Sequence, residues 1–173
     1  MYIGFGSMGG PGTQRMDALL LQALAARGRR CLVAAGWAGL GHSTLPPHWR
    51  RIAQAPHAQL FPRLAAVVHH GGSGTTAQAL RAGVPQVLLP LILDQYHHAH
   101  RLYRAGLIPK PVSMERVNAG QLRQSIEAAI AWPLAPRQAA AQRLQQSDGA
   151  AQIAKQIETL CRRTYSGAQA RIL

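Results

Sequence analysis

Residues 65–95 read "AAVVHHGGSGTTAQALRAGVPQVLLPLILDQ", and this stretch decides the fold. An apolar run ends in two histidines and a glycine-rich turn, after which a helical pattern continues to Gly83 and a second apolar run begins. A strand, a helix and a strand in this order are typical of a βαβ unit. Because the first run is apolar throughout up to its histidines, it favours a parallel sheet that is covered on both faces.

The same alternation continues on either side of this stretch. Further strands are predicted at 1–5, 30–35 and 51–54, with a short edge strand at 108–112; helices are predicted at 13–28, 75–83 and 95–106 and from about residue 119 onward, and a turn or short helix at 57–64. The sequence therefore predicts an α/β fold, a Rossmann-like doubly wound parallel sheet of about six strands. We assign residues 1–165 to one domain and 166–173 to a C-terminal tail.

Composition and charge limit the class of protein. A chain of 173 residues with 47% hydrophobic residues can build one core, and it has no apolar stretch near the ~20 residues of a membrane span. We therefore expect a cytoplasmic protein, with Cys31 and Cys161 as reduced structural thiols. The net charge of +13 fits solvated arginine-rich helix faces, and we expect no nucleic-acid partner because no nucleic-acid module is recognisable. A polyanion-binding module remains the alternative.

Two glycine-rich loops follow the first and fourth predicted strands. They read "GFGSMGGPG" at 4–12 and "HHGGSGTT" at 69–76. In a sheet of order 3-2-1-4-5-6, these strands are neighbours at the point where the winding reverses, and ligands bind beyond their carboxyl ends. The two loops are therefore expected to face one crevice.

The second loop suits a diphosphate. Its glycines let the backbone approach a ligand, and the helix that follows directs its first amide groups at an anion. Thr75 and Thr76 add hydroxyl donors, and His70 can donate through a ring nitrogen. Two structural alternatives stay open at this point, with Thr75 as an N-terminal helix cap and His70 as a packing residue at the strand end.

Two common phosphate-binding classes do not fit. The sequence has no G-x-x-x-x-G-K-[ST] run, which argues against a P-loop NTPase. The first loop departs from G-x-G-x-x-G, and the second strand ends at Ala35 and Gly36 without an acidic residue, which argues against a dinucleotide oxidoreductase.

Taken together, these motifs resemble the donor-binding half of family 1 glycosyltransferases, enzymes with two Rossmann-like halves and a cleft between them (GT-B fold). The similarity covers nearly the whole chain and runs through "YIGFGSM", "AAGWAGL" and "APHAQLFPRLAAVVHHGGSGTTAQALRAGVPQVLLPLILDQ". It is strongest toward the sterol and lipid glucosyltransferase branch and toward antibiotic-modifying relatives.

The resemblance implies roles for particular residues in binding the nucleotide of the donor. Those that would hold the diphosphate are Gly6, Ser7, His70, Gly72, Ser73, Gly74 and Thr75. Those that would meet the base and ribose are Gln54, Ala55, Pro56 and His57. Many relatives stack a tryptophan on the base at the place of Gln54, and this chain departs from them there. Trp37 would either line the crevice or cover a sheet edge.

The resemblance also assigns the donor sugar to Asp94 and Gln95, whose carboxylate and amide can bind neighbouring hydroxyls. The structural alternative makes Asp94 the N-cap of the next helix.

The reaction implied is an inverting transfer of a hexose, with UDP-glucose as the expected donor, to a hydroxyl of a lipid-like or small acceptor. His70, the hydroxyls and the helix terminus would stabilise the leaving diphosphate, so no metal or other cofactor is expected. The resemblance puts the catalytic base and the acceptor site in an N-terminal domain or a separate subunit, and no catalytic residue in this chain. A basic surface also suggests peripheral binding to an anionic membrane at its inner face.

Overall fold

The fold is a five-stranded parallel sheet with helices on both faces. The computed structural model describes residues 1–6, 13–36 and 39–169. The strands are β1 (Tyr2–Gly4), β2 (Cys31–Ala34), β3 (Trp49–Ile52), β4 (Val67–His69) and β5 (Gln86–Leu88). They lie in the order β3-β2-β1-β4-β5, which confirms the predicted doubly wound architecture.

The helices alternate with these strands and then finish the described chain. They are α1 (Thr13–Leu24), α2 (His57–Leu60), α3 (Ser73–Arg81), α4 (Leu93–Arg104), α5 (Ala119–Ala131), α6 (Leu134–Gln145) and α7 (Gly149–Gln169). Two 3₁₀ turns, Ala25–Arg27 and Phe61–Arg63, extend α1 and α2. Gly83 follows α3 with a φ of 63°, a left-handed conformation that glycine adopts without a side-chain clash, so the predicted end of this helix is confirmed.

Side chains of alternate residues in the strands point to opposite faces of the sheet and enter separate cores. Ile3, Val33 and Val68 are fully buried or nearly so and belong to one core cluster, to which α1 and α5 also contribute. Tyr2, Ala34 and Val67 point to the opposite face and pack in a cluster with residues of the α2 region and α3. This burial on both faces explains why the strands read as continuous apolar runs.

The predicted sixth strand at residues 108–112 is wrong. Among the described residues this segment forms no strand, although Ile108 is buried and Val112 packs against the core. Pro109 and Pro111 explain the difference, because neither has an amide hydrogen to donate to a neighbouring strand.

β3 begins two residues earlier than the predicted 51–54. Trp49 is the cause: it is 2% exposed and pairs with Cys31 of β2, so the apolar anchor of the strand precedes its arginines. Residues 53 and 54 lie beyond the carboxyl end of the strand.

In the described part of the chain, the last helix, α7, contributes no residue to the core clusters. The side chains of residues 149–162 are all exposed, and the helix continues to Gln169. The boundary predicted at residue 165 falls inside it and stays a prediction. Among the helices of the described residues, none combines the length and the apolar content needed to cross a bilayer.

Candidate functional site

The loops after β1 and β4 meet beside His70. β1 and β4 are paired neighbours, with Gly4 opposite His69, so the residues that follow each strand leave the sheet side by side. Gly6 has a φ of 61°, and a methyl group added there would lie 3.3 Å from Cε1 of His70. The close approach and the left-handed backbone both require glycine at this position.

The backbone after β4 turns tightly under the His70 ring. A Cβ atom at Gly72 would lie 2.5 Å from Nε2 of His70, so only a glycine allows the ring to cover this part of the loop. Gly72 is also the N-cap of α3, whose first residue is Ser73. Thr75 therefore lies in the first turn of α3, and its alternative role as the N-cap is wrong.

The first turn of α3 offers donors to an anion. The amide of Thr76 donates to the carbonyl oxygen of Gly72 at 3.0 Å, whereas the amides before it in the helix precede the first intrahelical bond. Ser73 and Gly74 are exposed and Thr75 is half-buried, so all three can be reached from solvent. The hydroxyl of Thr76 is buried, which leaves Thr75 as the better hydroxyl donor. The positive end of the helix dipole lies at the same place.

The His70 side chain is suited to donate a hydrogen bond as a neutral imidazole. Partial burial lowers its pKa, and the carboxylate of Asp94 opposes this shift without reversing it. Its Nδ1 atom is buried and has no hydrogen-bond partner among the described residues. A neutral imidazole in this position can donate one hydrogen bond to a phosphate oxygen and gains a stronger interaction if it takes up a proton.

A buried pair behind the loop fixes its geometry. His69 is completely buried and Gln86 is 3% exposed, and Nε2 of His69 donates to Oε1 of Gln86 at 3.0 Å. Nδ1 of His69 accepts from the amide of Gly71 at 3.2 Å, which requires the neutral ring. Burial lowers the pKa of His69 to about 3, so this arrangement persists at neutral pH. His69 therefore fills space in the core and also fixes the loop through its two polar contacts.

The start of α4 lies against the same loop. Nδ1 of His98 donates to the carbonyl oxygen of Gly71 at 2.9 Å and lies 3.9 Å from Oδ2 of Asp94. A Cβ atom at Gly71 would come within 3.3 Å of the carbonyl oxygen of Gln95. The loop that carries the residues predicted for the diphosphate therefore packs against the helix that carries those predicted for the sugar.

Asp94 and Gln95 differ in their freedom to bind a ligand. The Asp94 side chain is 62% exposed and lies in the first turn of α4, where Ile92 and not Asp94 is the N-cap. Gln95 is 3% exposed, and its Oε1 accepts from the amides of Leu91 and Ile92 at 2.9 and 3.2 Å. The carboxylate of Asp94 is therefore open to solvent, while the oxygen of Gln95 holds the turn that leads into α4.

The stretch predicted for the base follows β3. Gln54 and Pro56 are exposed, and Ala55 is half-buried. His57 stacks on Phe61, with ring centroids 4.4 Å apart, and its Nε2 lies 3.0 Å from the hydroxyl of Tyr2. These contacts tie His57 to the core beneath the stretch, and burial lowers its pKa.

Two predicted residues, Ser7 and Trp37, lie outside the described residues. His98 and Gln86 were not predicted as parts of the site, although the sequence contains an indication for each. His98 stands four residues after Asp94, a spacing that places both on one helix face. Gln86 is the single polar residue of the predicted strand "PQVLLP", and a polar residue in a buried strand needs a partner.

Comparison with known protein families agrees with this geometry. Residues 19–160 match the family described as "Erythromycin biosynthesis protein CIII-like, C-terminal domain". A sterol 3-beta-glucosyltransferase of Arabidopsis thaliana is 38% identical over 128 residues, which are 73% of this chain and 21% of that protein. The O-mycaminosyltylonolide 6-deoxyallosyltransferase of Streptomyces fradiae is 47% identical over 111 residues, 63% of this chain and 25% of that protein.

Solved structures share the fold at lower identity. The glycotransferase of kitacinnamycin superposes with a TM-score of 0.79 at 19% identity, covering 91% of this chain and 42% of that one. The glycosyltransferase VinC in complex with dTDP gives a TM-score of 0.74 at 22% identity, covering 94% of this chain and 41% of that one. The chain thus spans about a fifth to a quarter of these two curated relatives, and about two fifths of each solved neighbour.

Proposed function

Because the chain belongs to the family of erythromycin biosynthesis protein CIII-like C-terminal domains, we propose that it binds the nucleotide-sugar donor of an inverting glycosyltransferase. The observation that carries this proposal is the position of His70. Its ring lies close to both Gly6 and Gly72, beside the N-terminus of α3, and the carboxylate of Asp94 acts on its pKa. One crevice therefore offers an imidazole, free helix amides and a carboxylate.

The donor we propose is a nucleoside diphosphate hexose, with UDP-glucose as the first candidate. The diphosphate would contact His70, the Thr75 hydroxyl and the first amides of α3, and Asp94 would accept from sugar hydroxyls. The name of the Arabidopsis relative supports glucose as the sugar. A solved neighbour binds dTDP, so a thymidine donor is the alternative that the experiment must include.

In the transfer step, an acceptor hydroxyl would attack the anomeric carbon while the bond to the diphosphate breaks. Negative charge grows on the leaving phosphate, and donors that already point at it stabilise the transition state without reorganising. We propose that His70, Thr75 and the α3 terminus do this without a metal ion. Addition of a chelator should then leave donor binding unchanged.

The acceptor site and the catalytic base would belong to another domain or subunit. The limited share of the relatives that this chain covers supports this division. On this proposal the chain alone binds the donor but transfers no sugar. Steady transfer of glucose to a sterol by the chain as a monomer would contradict it. We also retain the cytoplasm as the proposed location.

Donor binding can be tested by thermal unfolding with UDP, UDP-glucose and dTDP. UDP should raise the melting temperature, and His70→Ala should remove most of the rise, since a hydrogen bond to a charged group is worth about 1.5–3 kcal/mol. His100→Ala is the matched control, because His100 is an exposed histidine of α4. A rise in melting temperature with dTDP but not with UDP would identify thymine as the base of the donor. No rise with any nucleotide would reject the proposal.

A further inference from the structure

A concave site lies at the amino-terminal ends of the strands, opposite the end of the sheet at which His70 lies. It is a cavity of about 700 Å³ whose lining includes Arg30 and Leu32 of the β2 region, Arg50 of β3, and Arg63 and Leu64 before β4. These residues begin strands or precede them, whereas the donor crevice lies where the strands end. The two sites are therefore separated by the length of the sheet.

The cavity exists because one face of the sheet is incompletely covered. Leu32 and Arg50 are paired neighbours on β2 and β3, on the face covered by α2 and α3. Near the centre of the sheet this face is closed, and Tyr2 and Val67 are buried. The connection from β3 to β4 provides only the four-residue α2 and a 3₁₀ turn, so Leu32 stays half-buried and Arg50 exposed.

The lining combines cations with an apolar wall. Arg29 also lines the cavity, but it donates to both oxygens of Glu127 at 2.8 and 2.9 Å and is neutralised there. Nη1 of Arg50 donates to two backbone carbonyls at 2.9 and 3.1 Å, which holds its guanidinium in place. Within the described parts of the chain, no carboxylate pairs with Arg30, Arg50 or Arg63.

One more polar group at the cavity lacks a partner. His48 lines it, and Nε2 of this residue is buried without a hydrogen bond to any described residue. Buried polar atoms are usually paired, and those that are not are candidates for contact with a ligand. Leu32 and Leu64 supply apolar surface next to these groups.

We propose that this cavity binds a phosphate group carried on an apolar body. A guanidinium offers two parallel donors that match phosphate oxygens, and several unpaired guanidiniums around a concave surface concentrate positive potential there. The apolar wall formed by Leu32 and Leu64 would contact the body of the ligand. The same chemistry is found in an anionic lipid headgroup and in a free phosphorylated amphiphile, and the experiment separates the two.

The test is calorimetric titration of the chain with dihexanoyl phosphatidic acid below its micelle-forming concentration. Binding is expected, and the double variant R30Q/R63Q should weaken it about ten-fold or more because two charged hydrogen-bond donors are lost. The matched control R104Q/R143Q removes the same charge from exposed positions on α4 and α6, outside the cavity, and should change affinity less than about two-fold. Equal losses of affinity in both double variants would show that the effect depends only on net charge, and would overturn the proposal.

Two further arms identify the source of the phosphate and the site. Co-sedimentation with phosphatidylcholine vesicles, with and without phosphatidic acid, tests the lipid source. Binding to the vesicles that contain phosphatidic acid, without binding of the soluble amphiphile, assigns the cavity to a membrane headgroup if it shows the same dependence on Arg30 and Arg63. Binding of the soluble amphiphile assigns it to a free ligand. His70→Ala should leave both results unchanged, because its ring lies in the donor crevice. No binding in either arm, or equal binding of inorganic phosphate, would reject the proposal.

Discussion

At the scale of single residues, the proposed donor site depends on side chains that are missing as much as on those present. The His70 ring is in place because Gly6 and Gly72 both leave room for its Nε2 and Cε1 atoms. Gly74 is different: a Cβ atom there would meet nothing within 4 Å. The free protein therefore gives no reason for this glycine, whereas a diphosphate at the start of α3 would.

This difference leads to a test with Gly74→Ala. The substitution should raise the free energy of unfolding by about 0.5–1 kcal/mol, since alanine is the better helix former and no contact is lost. It should weaken UDP binding, because the methyl group would occupy the space of the phosphate. Urea unfolding and nucleotide titration measure the two effects.

Gly149→Ala is the matched control, because Gly149 also begins a helix and also has open space around it. This variant should show the stability gain without the loss of affinity. UDP affinity that is unchanged in Gly74→Ala would remove the first turn of α3 from the diphosphate site.

At the scale of elements, α4 begins with the one strained non-glycine backbone among the described residues. Leu93 has a φ of 36° and a side chain that is 84% exposed, so it gains little from packing in return. A left-handed conformation costs a residue other than glycine about 1–2 kcal/mol. The next residue is Asp94, and backbone outliers of this kind occur preferentially beside functional residues.

Leu93→Val tests whether that backbone conformation is required. A β-branched side chain tolerates positive φ poorly, so we expect the free energy of unfolding to fall by about 1–2 kcal/mol. Leu134→Val is the control, since Leu134 is an exposed first residue of α6 without positive φ, and its effect should stay below about 0.5 kcal/mol. Equal effects in the two variants would mean that Leu93 carries no special strain.

The individual strands and helices also show which parts of the fold could be predicted from the sequence. β4, α3 and β5 were predictable because apolar runs, glycines and helical spacing agree over residues 65–95. The start of β3 was not, since the burial of Trp49 depends on its pairing with Cys31, a contact between distant residues. The roles of Gln86 and His98 within the loop region also arise from tertiary contacts that no local pattern specifies. Their polar residue types indicate that each needs a hydrogen-bond partner, but do not identify that partner.

At the scale of the whole molecule, the buried histidine of β4 links stability to pH. His69 must stay neutral to accept from Gly71 and donate to Gln86. Burial lowers its pKa from 6.5 to about 3, so between these values the unfolded chain binds a proton that the folded chain does not. His57 and His70 are also shifted downward by burial and act in the same direction.

We therefore expect the full contribution of these histidines above about pH 6.5 and a progressive loss of stability as the pH falls toward 3. For His69 alone the slope is at most about 1.4 kcal/mol per pH unit. Urea unfolding at several pH values should show a clearly shallower slope for His69→Gln than for the native chain. His100→Ala should keep the native slope, and an unchanged slope in His69→Gln would show that His69 is not held neutral.

The order of the strands also determines when the molecule can become folded during its synthesis. β1 is central, yet it pairs with β2 some 30 residues later and with β4 some 65 residues later. Until β4 has left the ribosome, one edge of an apolar strand remains open to other chains, and such non-local pairing is slow. A nascent chain that stalls before residue 67 would therefore be prone to aggregate, whereas one that has passed residue 88 can close its sheet.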